Sequence, residues 1–192
     1  SVVIGFGKGG KTLAGALAGR GENVALIEKS SAMYGGTCIN VGCIPSKSLV
    51  RSAGLSRLDE AASFEEKAEK YRAAIAEKRR LTALLRGKNY HKLADAPNVT
   101  VVDGAASFEG PHTVRAEGPG GAVTLEGAKL FINTGAVTAV PALPGIEGNP
   151  RVYTSESLME LEELPRRLTI VGGGYIRSEE HTSELQSHLN LV

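Results

Sequence analysis

An α/β fold built on a parallel sheet is what this sequence predicts, and three observations predict it. Apolar runs at residues 2–4 and 23–28 ("VVI", "NVALIE") bracket a helix-forming stretch. A glycine-rich turn, Gly5–Gly7–Gly10, joins the first run to that stretch. An acid, Glu28, closes the second run about 20 residues beyond the turn. Strand, turn, helix and strand within about thirty residues is the pattern of a parallel βαβ unit.

Each element can be justified in order. Residues 2–4 read as a short buried strand, residues 9–20 as a helix stopped by Gly21, and residues 23–28 as a second strand. Residues 30–37 form a loop ending in Gly35-Gly36, and the segment with Cys38 and Cys43 leads into a helix through Val50. From Phe64 to Ala94 apolar residues recur near the helical period (Phe64, Ala68, Tyr71, Ile75, Leu81, Leu84, Leu85). Lys78, Arg79 and Arg80 alternate with glutamates there and read as a solvated helix face. "NVTVVDG" is strand-like, and "HTVRAEG" and "AVTLEG" flank Pro119-Gly120-Gly121 as a hairpin. "KLFINTGA" reads as a further buried strand. Pro141, Pro144, Gly145 and Gly148 mark a linker, after which come a short helix ("TSESLMELEELP"), a strand ("RLTIV") and a second glycine-rich turn ("GGGYI"). The expected architecture is a Rossmann-like nucleotide-binding domain with a parallel sheet and a β-meander, followed by the start of a second Rossmann-like domain.

Composition narrows the function. The 192 residues carry 22 Lys plus Arg against 21 Asp plus Glu, a net charge of +1, which offers no electrostatic argument for nucleic acid or an anionic membrane. No apolar run approaches the ~20 residues of a membrane span. No secretion leader is visible before Ser1, although the chain opens without Met and inside a strand, so a preceding segment is expected. Two cysteines are too few for a disulfide scaffold, and no His lies close enough in sequence to complete a zinc site. The pair is inert or redox-active.

The opening turn satisfies two phosphate-binding patterns. Gly5, Gly7 and Gly10 make GxGxxG, whereas Gly5 to Gly10-Lys11-Thr12 makes GxxxxGK[ST]. The second pattern needs another acid for Mg²⁺, a role open to Asp103. The first needs an acid at the end of the second strand to bond a ribose, and Glu28 stands there. Gly7 suits the close approach of a pyrophosphate to a helix N-terminus. The in-register acid favours a dinucleotide, with Lys11-Thr12 as the first turn of the helix.

"GGTCINVGCIPSK" at 35–47 resembles the active-site segment of the FAD-dependent pyridine nucleotide–disulfide oxidoreductases. Two sulfurs at the mouth of a helix suit that chemistry, since the helix dipole favours a thiolate. The resemblance runs from Val2 to Ile176 and implies NAD(P)H electrons passing through FAD to Cys38 and Cys43. It implies Cys43 as the thiolate lying against the flavin, Cys38 as the interchange thiol that meets substrate, and Lys47 near the flavin N5. It places Gly36 and Thr37 along the pyrophosphate, with Ala105, Ala106, Thr134 and Gly135 lining the adenine and flavin sides. Gly172, Gly174, Tyr175 and Ile176 would open the NAD(P) site. A structural disulfide is the alternative for the cysteine pair. "GFGKGGKTLA", "SAMYGGTC", "KNYHKLADAPNVTVVDG" and "FINTGA" look most like the mercuric-reductase-like reactive-chlorine-resistance flavoproteins, implicated in reducing hypothiocyanous acid or Cu(II). Lipoamide dehydrogenases share Ile44-Pro45-Ser46-Lys47.

The resemblance implies a cytoplasmic homodimeric enzyme acting on a small-molecule or metal-ion oxidant, with no resident metal and no nucleic-acid or membrane partner. It divides the chain into an FAD-binding domain (1–146) and the start of an NAD(P)-binding domain (147–176). Arg177 stands where the second glycine motif calls for a small residue, and "RSEEHTSELQS" resembles a translated sequencing adapter. Residues 177–192 are therefore expected to be a non-native tail, and the contrasting reading of the chain is a truncated, catalytically inactive FAD-binding fragment.

Overall fold

A computed structural model describes residues 1–171 of the chain. Strand β1 (Val2–Ile4) runs through the glycine turn into helix α1 (Lys8–Ala18), which returns the chain to β2 (Val24–Glu28). A 3₁₀ turn (Ser31–Met33) leads to two helices, α2 (Thr37–Asn40) and α3 (Cys43–Arg57). Helix α4 (Phe64–Ala94) follows, then β3 (Val99–Asp103), β4 (Ala105–Phe108), β5 (Thr113–Gly118), β6 (Gly121–Glu126), β7 (Leu130–Ile132) and the short α5 (Ser155–Leu158).

Strands β3-β2-β1-β7 form a parallel sheet, in the register Val3↔Leu26, Leu26↔Val101 and Val3↔Phe131. Strands β4-β5-β6 form an antiparallel sheet that pairs Val114 with both Phe108 and Leu125. The side-chain period of two sends Val3, Leu26 and Val24 to one face of the parallel sheet, where Phe6, Ala14, Leu17, Tyr34 and Leu93 cover them. Val2, Ile4 and Ile27 go to the other face, where Val114 and Ala116 of the antiparallel sheet cover them. The result is three layers: helices, parallel sheet, antiparallel sheet. Burial on both faces explains why these strands read as continuous apolar runs.

Helix α4 starts on a capping box. Ser63 Oγ accepts from Glu66 N–H at 3.2 Å, and the Glu66 carboxylate accepts from Ser63 N–H at 2.7 Å. Glu65 and Glu66 in its first turn and His91 and Lys92 in its last complement the helix dipole. At 31 residues it is about 46 Å long at the usual rise, so one rod serves two distant neighbourhoods.

Three sequence expectations are corrected. Lys78 is not on a solvated face: its side chain is 1% exposed and pairs with Glu160, because the chain after α5 packs across that side of α4. Strand β7 is half-buried rather than buried, with Ile132 69% exposed, because it forms the edge of the described sheet. "RLTIV" is no strand, since none of the described strands pairs with it and an extended segment becomes a strand only by pairing.

Candidate active site

The glycine turn lies beyond the carboxyl end of β1, between the ends of β2 and β7. Gly5 adopts φ +105°, and a Cβ there would run into the Asn133 carbonyl just past β7. A Cβ on Gly10 would strike the Gly5 carbonyl and reach Val3 Cγ1 at 3.2 Å, so this glycine lets α1 pack against β1. Gly7 caps α1 with no side-chain cap and no acid in the first turn. Among the described residues, the sole neighbour within 4 Å of a Cβ on Gly7 would be Asn133 Nδ2 at 3.2 Å, and a Cβ on Gly135 would meet nothing. Open space above an uncapped helix N-terminus fits the pyrophosphate of a dinucleotide.

Glu28 is built into this turn. Its Oε2 accepts from Phe6 N–H at 2.9 Å and its Oε1 from Ser30 N–H at 3.2 Å, which fixes a half-buried carboxylate at the end of β2. Two backbone donors leave the carboxylate lone pairs free for a ribose hydroxyl. Gly104 N–H donates to the Glu28 carbonyl at 2.8 Å, so Ala105 starts β4 just beyond the end of β2. Ala106 is partly buried against the apolar cluster of Val2, Ile4, Ile27, Val114 and Ala116.

Gly36 joins the redox segment to the turn. It sits at φ +78°, and a Cβ there would lie 2.5 Å from Gly7 Cα. Thr37 then opens α2, with Cys38 as its second residue, and Cys43 is the first residue of α3. The two cysteines are free thiols, Cys43 exposed and Cys38 half-buried. The neighbouring Cys43 thiol, and then burial, push the Cys38 thiol above its ordinary value, while the Lys11 ammonium pulls it down. Lys47, four residues beyond Cys43 on α3, shares its helix face and is exposed.

Gly5, Gly7, Gly10, Glu28, Gly36, Cys38 and Cys43 are thus gathered at the carboxyl end of the parallel sheet, with Thr134 and Gly135 following Asn133 beside Gly5. Gly172, Gly174, Tyr175 and Ile176 lie outside the described residues, as does the 177–192 segment. Among the described residues no cluster of three or more His, Cys, Asp or Glu could hold a metal ion. Likewise, no described helix is long and apolar enough to cross a membrane.

Sequence reasoning missed several supports of the site. Asn40, 7% exposed between the cysteines, donates through Nδ2 to the carbonyls of Tyr34 and Gly36, both at 3.0 Å, and accepts from Arg86 Nε at 2.8 Å. Asn133 N–H donates to the Ile4 carbonyl at 2.7 Å, and its side chain donates to the Gly5 carbonyl at 3.3 Å. A lone Asn within each apolar run, "CINV" and "FINT", was the available signal. Tyr34 stacks on Tyr90 and donates its hydroxyl to Asp103, and burial followed by that bond pushes its pKa strongly upward. Asp103 is thereby engaged by a phenol, and Lys11 turns toward α4 to donate to Asn89. Neither residue serves a triphosphate loop.

A parallel-sheet glycine turn with an acid partner and a cysteine pair at a helix mouth defines a nucleotide-dependent disulfide oxidoreductase fold. The chain belongs to the pyridine nucleotide-disulphide oxidoreductase family, whose model matches residues 1–185 and so runs past Ile176. That family uses a flavin and a pyridine nucleotide. The chain is 50% identical over 179 residues to the probable pyridine nucleotide-disulfide oxidoreductase RclA of Escherichia coli K12, covering 93% of this chain and 38% of the relative. It is 36% identical to a mercuric reductase of Streptomyces lividans, over 93% of this chain and 38% of that protein. The solved Cu(II) complex of the HOCl-induced flavoprotein disulfide reductase RclA from Escherichia coli superposes with a TM-score of 0.80 at 51% identity, over 91% of this chain and 37% of that one. The chain therefore spans under two fifths of the length of these relatives.

Proposed function

We propose that this chain is the FAD-binding and redox-cysteine portion of an NAD(P)H-dependent flavoprotein that reduces a small oxidant, a disulfide or a metal ion. The observation that carries the reading is the contact between Gly36 and Gly7, which joins the redox segment to the dinucleotide turn. FAD, when bound, supplies the two-electron relay between pyridine nucleotide and sulfur. Gly5, Gly7, Gly10, Gly36, Thr37, Thr134 and Gly135 would hold its pyrophosphate and flavin ends, Glu28 its ribose, and the backbone at Ala105 and Ala106 its adenine side.

The sulfur chemistry then follows from the two thiols. Two electrons and two protons convert a Cys38–Cys43 disulfide into the thiol pair. With a disulfide substrate, the Cys38 thiolate attacks one sulfur, forming a mixed disulfide and releasing the first product thiol. The Cys43 thiolate next attacks Cys38 Sγ, releasing the second product thiol and restoring the Cys38–Cys43 bond. The resemblance to the family assigns Cys43, exposed at the first position of α3, to the flavin side. The likenesses to the Cu(II) complex of RclA and to mercuric reductase support a metal ion as acceptor, and the resemblance of the sequence segments adds hypothiocyanous acid. A lipoamide dehydrogenase-type activity is the second reading, carried by the shared Ile44-Pro45-Ser46-Lys47.

Residues 1–146 would form the FAD domain, residues 147–176 the opening of the NAD(P) domain, and residues 177–192 a non-native tail. A cytoplasmic homodimer is the assembly proposed for the whole enzyme. The deciding experiment is NAD(P)H oxidation by the uninterrupted protein with a disulfide, hypothiocyanous acid or Cu(II). Cys38→Ser and Cys43→Ser are each expected to stop turnover, and turnover surviving either substitution would defeat the reading. Residues 1–192 alone are expected to hold FAD weakly and to turn nothing over.

A further inference from the structure

Helix α4 meets the redox segment at three places on one of its faces. Arg86 Nε donates to Asn40 Oδ1 at 2.8 Å. Three residues later, the Asn89 side chain lies 3.4 Å from where a Gly35 Cβ would be. Tyr90 then stacks on Tyr34, with ring centres 4.8 Å apart. Positions i, i+3 and i+4 of a helix are neighbours, so the three contacts act on one stretch of chain.

That stretch carries the two thiols. Asn40 is the last residue of α2, between Cys38 and Cys43 in sequence. It is buried, and its Nδ2 donates to the Tyr34 and Gly36 carbonyls, both at 3.0 Å. Its amide thus ties the loop before α2 to α4. Beyond Asn40 the chain doubles back: a Cβ on Gly42 would lie 3.0 Å from the Thr37 carbonyl oxygen and 3.5 Å from Cys38 Cα. The Cys43 side chain is also the first cause of the raised Cys38 thiol, as a facing sulfur would be. Fixing Asn40 therefore fixes how α2 presents Cys38 to the start of α3.

Arg86 is set apart by its partner. Arg79 and Arg80, on the same helix, pair with Glu162 and Glu77. Arg86 is half-buried and gives its Nε to a neutral amide. A charge-assisted hydrogen bond of this kind is strong and directional, suited to holding a turn in place.

We propose that Arg86, acting through Asn40, is a positioning residue for sulfur exchange that holds Cys38 and Cys43 ready to close into a disulfide. The use of the pair in exchange rests on the flavin-reductase reading; the brace is made by this chain's own residues. Closing the bond costs the two thiols conformational freedom. A turn already held has lost part of that freedom, which raises the effective concentration of one thiol toward the other.

The test is the thiol–disulfide equilibrium of the full chain, residues 1–192, in glutathione buffers. The two thiols reduce one oxidised glutathione: its S–S bond breaks, the Cys38–Cys43 bond forms, and two protons leave with the two glutathione thiols. The chain has two cysteines, so no other internal pair contributes. Arg86→Met keeps the length but lacks a donor, and it is expected to lower the equilibrium constant about tenfold. Arg86→Gln carries an N–H at the Nε position without the charge and should stay within about twofold of wild type. Arg86→Lys keeps the charge but puts a methylene at the Nε position, and a fall of about threefold is expected.

An unmoved constant in Arg86→Met, with an unchanged far-ultraviolet circular dichroism spectrum, overturns the proposal. So does a fall in Arg86→Gln as large as that in Arg86→Met, because charge or packing would then be responsible. A wild-type chain that forms no Cys38–Cys43 disulfide overturns it outright. Should Arg86→Met fail to fold, Arg86→Lys decides alone: a lowered constant supports the proposal and an unchanged one defeats it. The equilibrium involves neither FAD nor NAD(P)H. Failure of the brace therefore leaves the flavin reading untouched, and absence of NAD(P)H turnover in the uninterrupted protein would defeat that reading while the brace stands.

Discussion

Residues 2–135 and 136–171 are held by different forces. In the first region every strand has a partner, and two apolar clusters fill the spaces on either side of the parallel sheet. The second has one four-residue helix, and it exposes Val137, Val140, Leu143, Val152, Leu168 and Val171. Polar groups on α4 anchor it. Tyr71 donates to the Leu161 carbonyl at 2.8 Å, Lys78 to the Met159 carbonyl at 2.7 Å and to Glu160, and Arg79 to Glu162 at 2.7 Å. Arg166 lies 4.1 Å from the centre of the Phe64 ring. A βαβ unit closes its own core from neighbouring sequence. The 136–171 segment, which forms no described strand, is held by hydrogen bonds and ion pairs to α4.

The largest break in this contrast is expected from the glycine turn. Gly5→Ala combines a left-handed backbone with a clash against the Asn133 carbonyl, and it should cost ~3 kcal/mol or more in urea unfolding of residues 1–192. Phe6→Ala should follow, since Phe6 is fully buried among Val3, Leu26 and Tyr34; a loss of about 3–5 kcal/mol in the same measurement is expected. Neither change should alter how fast trypsin cuts near Arg166 under native conditions.

Lys78 tests the other side of the comparison. Lys78→Ala leaves a cavity and an unpaired Met159 carbonyl, so docking of 155–166 should weaken by roughly 1–3 kcal/mol, read as faster tryptic cleavage near Arg166. Lys78→Met fills the space without the charge and should be milder. Equal sheet-region loss in both variants would erase the distinction between the regions.

The smallest effect is acid-dependent. Burial alone would raise the Glu160 carboxyl, but Lys78 and Arg79 outweigh it and hold the group below its ordinary 4.5. A depressed carboxyl contributes in full above its unfolded value, and that contribution is lost as pH falls through the lowered folded value. Peptic cleavage within 150–171 should therefore accelerate below about pH 4.5 before the parallel sheet yields. Simultaneous loss of both regions would show that one cooperative unit spans them.

These differences track what was legible in the sequence. The βαβ unit, the 64–94 helix and the 113–126 hairpin could be read because periodicity, capping residues and turn glycines are local signals. That the glycines, Glu28 and the cysteines come together could be read because their spacing places them at the ends of β1, β2 and the following helices. Lys78 could not, since what buries it lies about eighty residues away in sequence. Asn40, Asn89 and Asn133 were equally hidden, for each acts through a partner on another element. The "RLTIV" run carried strand propensity, but propensity does not provide a neighbour.

The contact between Gly7 and Gly36 has a consequence for how this protein can change over generations. Each residue is already the smallest available, and a side chain at 36 would fall 2.5 Å from the backbone of 7. A larger residue at 36 leaves no room to be recovered at 7, which has no side chain to lose. Genetic selection from a Gly36→Ala parent should therefore yield true revertants, or second changes that shift the backbone of 30–37, and never a suppressor at position 7. Two turns from separate stretches of the chain are in this way bound to a single history.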